Sequence, residues 1–344
     1  MRKLIGLLIL LLAVAALSAQ YYNGVINLTG QALYNGLRTL ISTNTNTDYD
    51  ESKEQMFGYF DNVNGYVRCV YTGQDWSVPQ GGMPNQNQFN CEHTYAQSWF
   101  TGTETNVKKA DLHHLFPTNA QVNSSRGNLP FDVVANHSSA TTYVTYNGYH
   151  SYRGNNASGY TVFEPADQHK GNLARALLYF NVRYNNTLTQ QNVNMIPTLL
   201  LWHVLDPVDT AEEARNQNIY SYQTNRNPFV DHPEFVQRIW GPVDNDDSYY
   251  TTPPSFTLGE VYPNPFKQIT NISYSLDKDV MIGLEVYNLK GQLVRKIYHG
   301  IKQQGDQKAS WDGTNMDAVD CPSGVYLIRL AGRDGAVFRK VLKR

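Results

Sequence analysis

The chain has 344 residues, a length that allows about two domains, each large enough to bury its own core. Charged residues make up 17% of the sequence and apolar residues 41%, and no apolar run of about 18 residues follows the first twenty, which excludes fibrous and membrane-embedded proteins. The net charge of −2 conceals an uneven distribution. Residues 20–250 carry 13 basic and 21 acidic side chains (net −8), whereas residues 251–344 carry 13 and 9 (net +4).

The first nineteen residues have the layout of a secretory signal peptide. Arg2 and Lys3 precede an uninterrupted apolar stretch at residues 4–17, and small and polar residues follow it. Because the stretch is too short to cross a bilayer with ease, we expect cleavage near Ala19 and export of the protein.

Three cysteines, Cys69, Cys91 and Cys321, are too few for a disulfide framework. An oxidising compartment would permit a bridge between Cys69 and Cys91. The alternative is a pair of buried free thiols, and the sequence leaves both open.

Hydrophobic spacing predicts two helices that pack into a core. Leu33, Leu37 and Leu40 recur at helical intervals within residues 27–42, which indicates a short amphipathic helix. A second helix is predicted at residues 167–184. Its apolar stripe is formed by Leu173, Ala176, Leu177 and Phe180, and its basic residues, Lys170, Arg175 and Arg183, fall elsewhere on the helix.

Two further helix starts are predicted from capping boxes, in which a side chain accepts a hydrogen bond from one of the first free backbone amides. Asp209 is followed by Glu212, and Asp231 is followed by Glu234, both at the required spacing.

The pattern changes after residue 243. Residues 244–255 are polar and include Pro253 and Pro254, which predicts an extended boundary segment. Short β-rich runs follow at residues 272–276, 282–288, 293–298 and 325–330, with turn signals at Lys290-Gly291 and Ser323-Gly324 between them. The sequence therefore predicts an α+β chain that ends in a small antiparallel β-sandwich, with residues 1–19, 20–250 and 251–344 as signal peptide, catalytic domain and linker with sandwich.

Reactive side chains concentrate at residues 90–93 (NCEH) and 111–128 (DLHHLFPTNAQVNSSRGN). In the second stretch Pro117 blocks a preceding helix, Thr118 and Gln121 form a capping box, and Gly127 suits a left-handed stop. These signals predict a two-turn helix at residues 119–126. Asn123 and Arg126, three positions apart, share one of its faces.

Glu92, His93 and Asn123 together predict a metal-assisted hydrolase. A carboxylate and an amide oxygen favour Mg²⁺, with Mn²⁺ or Ca²⁺ as alternatives, over zinc. A neutral imidazole beside them can deprotonate water while the metal offsets charge on a phosphodiester. Spacing alone leaves a purely structural role for His93 open.

Four stretches resemble the bacterial endonuclease I family, in the same order along the chain. They are residues 90–98 (NCEHTYAQS), 111–128, 163–184 (FEPADQHKGNLARALLYFNVRY) and 227–234 (NPFVDHPE), and the likeness spans roughly residues 25–245. The family consists of secreted or periplasmic nonspecific nucleases with a ββα-metal, or His-Me, finger. The resemblance therefore implies this finger, metal dependence, and nucleic acid as substrate.

The resemblance also implies roles for single residues. His93 matches the general base, Glu92 and Asn123 match the metal ligands, and Arg126 and Asn128 match an Arg-Gly-Asn element that positions the metal helix or contacts phosphate.

The chain departs from the family at two places. Ala96 stands where the family often has proline, and we expect an altered loop stiffness there. Some members supply a transition-state arginine between the two motifs, where this chain has only Lys108 and Lys109; either lysine or Arg126 would substitute, and His113 is a further candidate for support or phosphate contact.

The last 85 or so residues resemble the C-terminal sorting domain of type IX secretion cargo, of the immunoglobulin type. The residues that carry this likeness are Tyr262-Pro263-Asn264-Pro265-Phe266, Val286-Tyr287-Asn288, Gly291, Trp311-Asp312-Gly313 and Ser323-Gly324-Val325-Tyr326. The alternative is a binding or adhesion domain.

We therefore predict a secreted or cell-surface, metal-dependent endonuclease that acts on DNA, with RNA as a second substrate, and whose tail engages the secretion machinery. A basic strip of Lys108, Lys109, Arg126, Lys170 and Arg175 is expected to offset the acidic charge of the catalytic region. Two alternatives are a zinc hydrolase that uses His93, His113 and His114, and a catalytically silent surface-binding protein on the same fold.

Overall fold

The computed structural model describes residues 20–240, 256–288, 293–332 and 335–344. The predicted signal peptide (residues 1–19) and domain boundary (residues 244–255) lie outside these ranges, so both stay predictions. In the described ranges no helix is long and apolar enough to cross a membrane. Helices and short strands alternate up to residue 240, and the regular elements described from residue 256 onward are all strands, which confirms the predicted α+β content.

The elements are as follows. The α-helices of the described residues are α1 Gly30–Leu40, α2 Tyr49–Gln55, α3 Thr105–Ala110, α4 Ala120–Arg126, α5 Lys170–Tyr184, α6 Ile196–Leu205, α7 Thr210–Gln223, α8 Pro228–Asp231 and α9 Glu234–Trp240. A π-turn lies at Met56–Phe60, and 3₁₀ turns lie at Gln97–Trp99, Leu112–His114, His137–Ser139 and Asp167–His169. The strands up to residue 240 are β1 Asn62–Val63, β2 Tyr66–Arg68, β3 Asp75–Ser77, β4 Phe89–His93, β5 Leu115–Asn119, β6 Thr141–Thr142, β7 Tyr152–Asn155, β8 Thr161–Glu164, β9 Thr189–Gln190 and β10 Val193–Asn194.

Both predicted core helices are present, as α1 and α5. In α1, Leu33 and Leu37 are fully buried, whereas Leu40 at the helix end is half-buried. In α5 the predicted apolar stripe is buried, and Phe180 stacks on Tyr95 with their ring centroids 4.2 Å apart.

The basic side chains of α5, which were predicted to fall outside the apolar stripe, are also buried. Lys170 pairs with Glu164, and Nζ lies 2.7 Å from Oε1. Arg175 forms an ion pair with Glu212, and Arg183 forms one with Glu104. Because the carboxylates of Glu212 and Glu104 come from distant parts of the chain, helical periodicity gave no sign that these cations would be buried.

Strands β4 and β5 pair antiparallel, and α4 follows β5 directly, so the three elements form a ββα unit. Asn119 caps α4, since its side-chain oxygen accepts hydrogen bonds from the backbone amides of Gln121 and Val122. The predicted cap at Thr118 is therefore wrong. Thr118 is a buried residue of β5. The predicted stop at Gly127 is confirmed, since α4 ends at Arg126 and Gly127 has a positive φ of 56°, but its ψ of −113° is not that of a left-handed helical residue.

Of the two other predicted caps, one is confirmed. Asp209 accepts a hydrogen bond from the amide of Glu212 at 2.8 Å and begins α7. Asp231 is instead the last residue of α8, and its carboxylate is bound by the guanidinium of Arg226 and the hydroxyl of Tyr22. This carboxylate is engaged in an ion pair and does not cap α9.

The C-terminal region consists of two antiparallel sheets. Its strands are β11 Phe256–Tyr262, β12 Thr270–Leu276, β13 Val280–Asn288, β14 Leu293–Lys302, β15 Gly305–Trp311, β16 Gly324–Gly332 and β17 Gly335–Lys343. The strand order is β11-β12-β15 in one sheet and β14-β13-β16-β17 in the other. Both sheets contribute to one buried cluster, through residues such as Ile272 and Ile328. The four predicted strands are confirmed, three further strands were not predicted, and the immunoglobulin-like topology stays a prediction.

The three cysteines are buried free thiols, so the bridge between Cys69 and Cys91 does not form. The sulfur of Cys69 accepts hydrogen bonds from the backbone amides of Thr72 and Asn119. Burial raises the pKa of Cys91 to about 12, which keeps this thiol protonated at neutral pH.

Candidate active site

A cleft of about 440 Å³ opens where β4 ends and α4 packs against it. Its lining residues are Tyr49, Cys91, Glu92, His93, Ala96, Gln97, Ser98, Asn123, Arg126, Gly127 and Asn128. The cleft therefore brings together five of the residues predicted for the site: Glu92, His93, Asn123, Arg126 and Asn128.

Glu92 is a buried carboxylate with one oxygen engaged. Oε1 accepts a hydrogen bond from the hydroxyl of Tyr71 at 2.9 Å and lies 3.1 Å from the guanidinium of Arg126. In the described part of the chain no hydrogen bond reaches Oε2. Burial raises the pKa of Glu92, and the Arg126 charge and the Tyr71 hydroxyl oppose this effect. A cation in the cleft would stabilise this carboxylate further.

His93 is held in one tautomer. Its Nε2 lies 3.0 Å from the backbone carbonyl of Lys109, and a carbonyl can only accept, so Nε2 carries the proton. Nδ1 is then a bare acceptor, 3.3 Å from the side-chain amide nitrogen of Gln97. Burial lowers the pKa of His93 well below its usual range, and the neighbouring His114 adds to this effect, so the ring is neutral at physiological pH.

Asn123 projects from α4 toward the first half of β4. Its side-chain nitrogen donates to Oδ1 of Asn90 at 2.9 Å and to the carbonyl of Cys91 at 3.2 Å. These two bonds fix the amide, and no hydrogen bond in the described residues uses its oxygen. The amide oxygen is therefore available to a ligand in the cleft.

The donor set of the cleft fits Mg²⁺. Oε2 of Glu92 and Oδ1 of Asn123 are hard oxygen donors without hydrogen-bond partners among the described residues, on two elements that pack together. Mg²⁺ binds in proteins through one or two such oxygens and keeps several waters. The residues present therefore suit a partly hydrated divalent cation.

Arg126 is a buried cation, only 1% exposed, that ties β4 to α4. Its guanidinium donates to the backbone carbonyls of His93 and Thr94 at 3.2 and 2.8 Å, and it pairs with Glu92. It also lies against the rings of Trp99 and Phe131. This placement agrees with a positioning role.

The remaining wall of the cleft is polar and uncharged. Asn128 is exposed and donates to the hydroxyl of Ser98 at 3.2 Å, while its carbonyl accepts from the side chain of Gln191. Gln97 is also exposed. These side chains offer hydrogen bonds without charge to a ligand in the cleft.

Three other predicted residues do not line the cleft. The ammonium of Lys108 is buried and donates to the carbonyl of Thr101, and the ring of His113 is buried with Nε2 at 3.1 Å from the carbonyl of Asn225. Both support the fold. Lys109 is half-buried, and its ammonium lies over the ring of Tyr49, which itself lines the cleft.

The predicted basic strip does not form. Four of its five members are buried, and they contact different partners inside the fold: Lys108, Arg126, Lys170 and Arg175. Lys109 is the member that reaches the rim of the cleft.

The three histidines proposed as zinc ligands in the alternative interpretation do not converge on one point. The Nε2 atoms of His93, His113 and His114 face the backbone carbonyls of Lys109, Asn225 and Lys108 respectively. Among the described residues no group of three His, Cys, Asp or Glu side chains is arranged to hold a metal ion.

Sequence reasoning missed three residues that shape the cleft. Gln97 lies four positions after His93 in a quoted motif, so its proximity was available from the sequence. Tyr71 and Tyr49 lie 21 and 43 positions before Glu92, respectively, and no local pattern connects them with it.

Comparison with known proteins identifies the family of the chain. The family model described as Endonuclease I matches residues 15–234, which is more than half of the chain. The chain belongs to the endonuclease I family. A second model, described as Secretion system C-terminal sorting domain, matches residues 260–344. The endonuclease I chain thus carries a sorting tail and is an exported protein, as predicted.

Two curated relatives illustrate the range of the family. An extracellular ribonuclease of Bacillus subtilis (strain 168) is 34% identical over 238 residues, which is 64% of this chain and 78% of the relative. A periplasmic deoxyribonuclease of Aeromonas hydrophila is 29% identical over 133 residues, 37% of this chain and 50% of the relative. Among solved structures, dimeric latent PorU from Porphyromonas gingivalis is 19% identical over 26% of this chain and 9% of that chain. Its TM-score of 0.22 is too low to support an argument.

Proposed function

We propose that this endonuclease I chain is a secreted, metal-dependent nuclease that hydrolyses phosphodiester bonds in DNA and RNA without reading base sequence. One observation carries the proposal: a neutral imidazole with a bare Nδ1 shares a cleft with two unpartnered oxygens, from Glu92 and Asn123. The curated relatives, one named a ribonuclease and one a deoxyribonuclease, support nucleic acid as the substrate class.

His93 is the proposed general base. Nδ1 accepts a proton from water as the water oxygen attacks phosphorus, while the carbonyl of Lys109 holds the Nε2 proton and fixes the ring. The side-chain amide of Gln97 donates to Nδ1 at 3.3 Å, and the attacking water would take its place. General-base assistance contributes roughly 10²- to 10⁴-fold to a hydrolysis rate.

Glu92 and Asn123 are the proposed ligands of Mg²⁺, with Mn²⁺ or Ca²⁺ as alternatives. When bound, the ion would neutralise the charge that develops on the phosphodiester and on its leaving oxygen. Arg126 keeps Glu92 oriented and holds the end of β4 against α4, so both ligands face the same space. The order β4, β5, α4 supports assigning the unit as a His-Me finger.

The substrate contacts are proposed to be to sugar and phosphate. The cleft wall near Asn128 offers neutral hydrogen-bonding groups, and the whole catalytic region is acidic, so binding should depend strongly on ionic strength. The sorting tail is proposed to engage the type IX secretion machinery, with an immunoglobulin-like sandwich starting after a linker near residue 251.

Cleavage of supercoiled plasmid by the full chain tests this function. We expect relaxation with Mg²⁺ or Mn²⁺, none with a chelator, and recovery when Mg²⁺ is added back, and the same pattern with a single-stranded RNA. Zinc should not restore cleavage. Binding without cleavage under every metal tested would instead support the silent surface-binding protein.

A further inference from the structure

Two lysines meet over one aromatic ring at the rim of the cleft. The ammonium of Lys53 lies 4.7 Å from the ring centroid of Tyr49, and that of Lys109 lies 4.8 Å from it. The lysines belong to different helices, α2 and α3, which pack together. Tertiary packing therefore gathers two positive charges that are far apart in sequence.

The ring of Tyr49 connects this lysine pair to the catalytic residues. Tyr49 lines the cleft, and its ring centroid is 5.2 Å from that of His93. Attraction between an ammonium and an aromatic face limits where each lysine can lie. The pair is thus held beside the base that would activate water.

The charges of this lysine pair are available to a ligand. Lys53 pairs with Asp50 at 2.8 Å. The Lys53 side chain is 17% exposed and that of Asp50 is 86% exposed, so Asp50 can turn away into solvent and leave the ammonium to a ligand at the rim. For Lys109 no ion pair is found in the described part of the chain. The guanidinium of Arg126, in contrast, already pairs with Glu92 and donates hydrogen bonds to backbone carbonyls.

We propose that Lys53 and Lys109, held by Tyr49, form a phosphate clamp that binds a phosphate of the nucleic-acid strand next to the one that is cleaved. This inference rests on the proposed function and extends it to substrate positioning. A clamp of this kind supplies the local positive charge that an acidic catalytic region, net −8, otherwise lacks. It contacts the backbone alone, which suits a nuclease that reads no bases.

The test is DNA binding by full-length Lys53→Gln and Lys109→Gln, measured by fluorescence anisotropy with a short duplex in chelator, so that no cleavage occurs. Lys302→Gln is the matched control, because the ammonium of Lys302 also lies over a tyrosine ring, that of Tyr298, in β14. Each clamp variant should bind more weakly at low salt. Each should also lower the slope of log affinity against log salt by about one, and the control should change neither.

Two further measurements separate the outcomes. Inorganic phosphate is titrated as a competitor, and thermal unfolding establishes that the variants fold. If wild-type protein cleaves plasmid but both clamp variants bind DNA with its affinity and salt slope, the clamp is refuted and the proposed function stands. Binding of inorganic phosphate at the lysines without any change in DNA binding also refutes it. If wild-type protein neither binds nor cleaves nucleic acid, the proposed function itself fails.

Discussion

Glu92 and His93 are neighbours in β4, yet each is held by different partners. Tyr71 and Arg126 hold the carboxylate, whereas the Lys109 carbonyl holds the imidazole. Both side chains line the same cleft at the end of β4, so one short strand supplies a metal ligand and a base to one site. The proposed separation of roles follows from their different partners.

The two oxygen ligands can be tested by metal binding. Glu92→Gln and Asn123→Ala should each weaken Mg²⁺ binding in isothermal titration calorimetry, because each change removes or weakens an oxygen donor. Excess Mg²⁺ or Mn²⁺ should partly restore cleavage. Asn128→Ala is the control on the same wall, and its affinity for Mg²⁺ should be that of the wild type. Unchanged affinity in both ligand variants would remove these residues from the metal site.

Arg126 should contribute to stability as well as to the site. Arg126→Ala leaves the buried Glu92 carboxylate without its cation, and loss of one partner of a buried pair costs about 3 to 5 kcal/mol. The pair of Arg68 and Asp75 is exposed, so Arg68→Ala should cost about 0 to 1 kcal/mol. Urea unfolding of both variants measures the difference. Equal effects would contradict the buried role of Arg126.

At the scale of the element, the cap of α4 gives a second stability test. Asn119→Ala should lower the free energy of unfolding by about 1 kcal/mol, because the cap bonds to two backbone amides are lost. Gln121 is exposed and was the partner in the predicted capping box, and Gln121→Ala should change stability by less than about 0.5 kcal/mol. Urea unfolding of both variants measures these changes. A larger loss of unfolding free energy from Gln121→Ala than from Asn119→Ala would favour the capping box that was predicted from the sequence.

The sequence predicted α4, its stop at Gly127, and the meeting of Glu92, His93 and Asn123. Those signals are local or carried by motifs. The shift of the cap by one residue was not predictable, because pairing with β4 draws Thr118 into β5, and strand pairing is a tertiary event. Tertiary contacts also explain why the predicted basic strip does not form, since the acidic partners of Arg175 and Lys170 come from other elements.

At the scale of the whole molecule, catalysis and export should be separable. Every residue that lines the cleft lies between residues 49 and 128, and the strands from residue 256 onward have a buried cluster of their own. Tyr287 and Leu327 also join the buried cluster of the catalytic region, but neither lines the cleft. A chain that ends near residue 247 should therefore fold and relax plasmid at the rate of the full chain. In the native host it should fail to reach the cell exterior.

The tail could instead assist binding through its net charge of +4. In that case the shortened chain would bind DNA more weakly and with a shallower salt dependence. Turnover of both chains over a salt series distinguishes the two, and a large loss of activity on truncation would contradict a tail that serves export alone.

The role of His93 in activating water is tested by single-turnover cleavage of plasmid by His93→Ala at saturating Mg²⁺. His203→Ala is the matched control, because His203 also faces a backbone carbonyl through Nε2, that of Pro233, yet lies outside the cleft. We expect His93→Ala to cleave about 10²- to 10⁴-fold more slowly with unchanged Mg²⁺ affinity, and His203→Ala to match the wild type. Cleavage at the wild-type rate by folded His93→Ala would show that His93 is not the base.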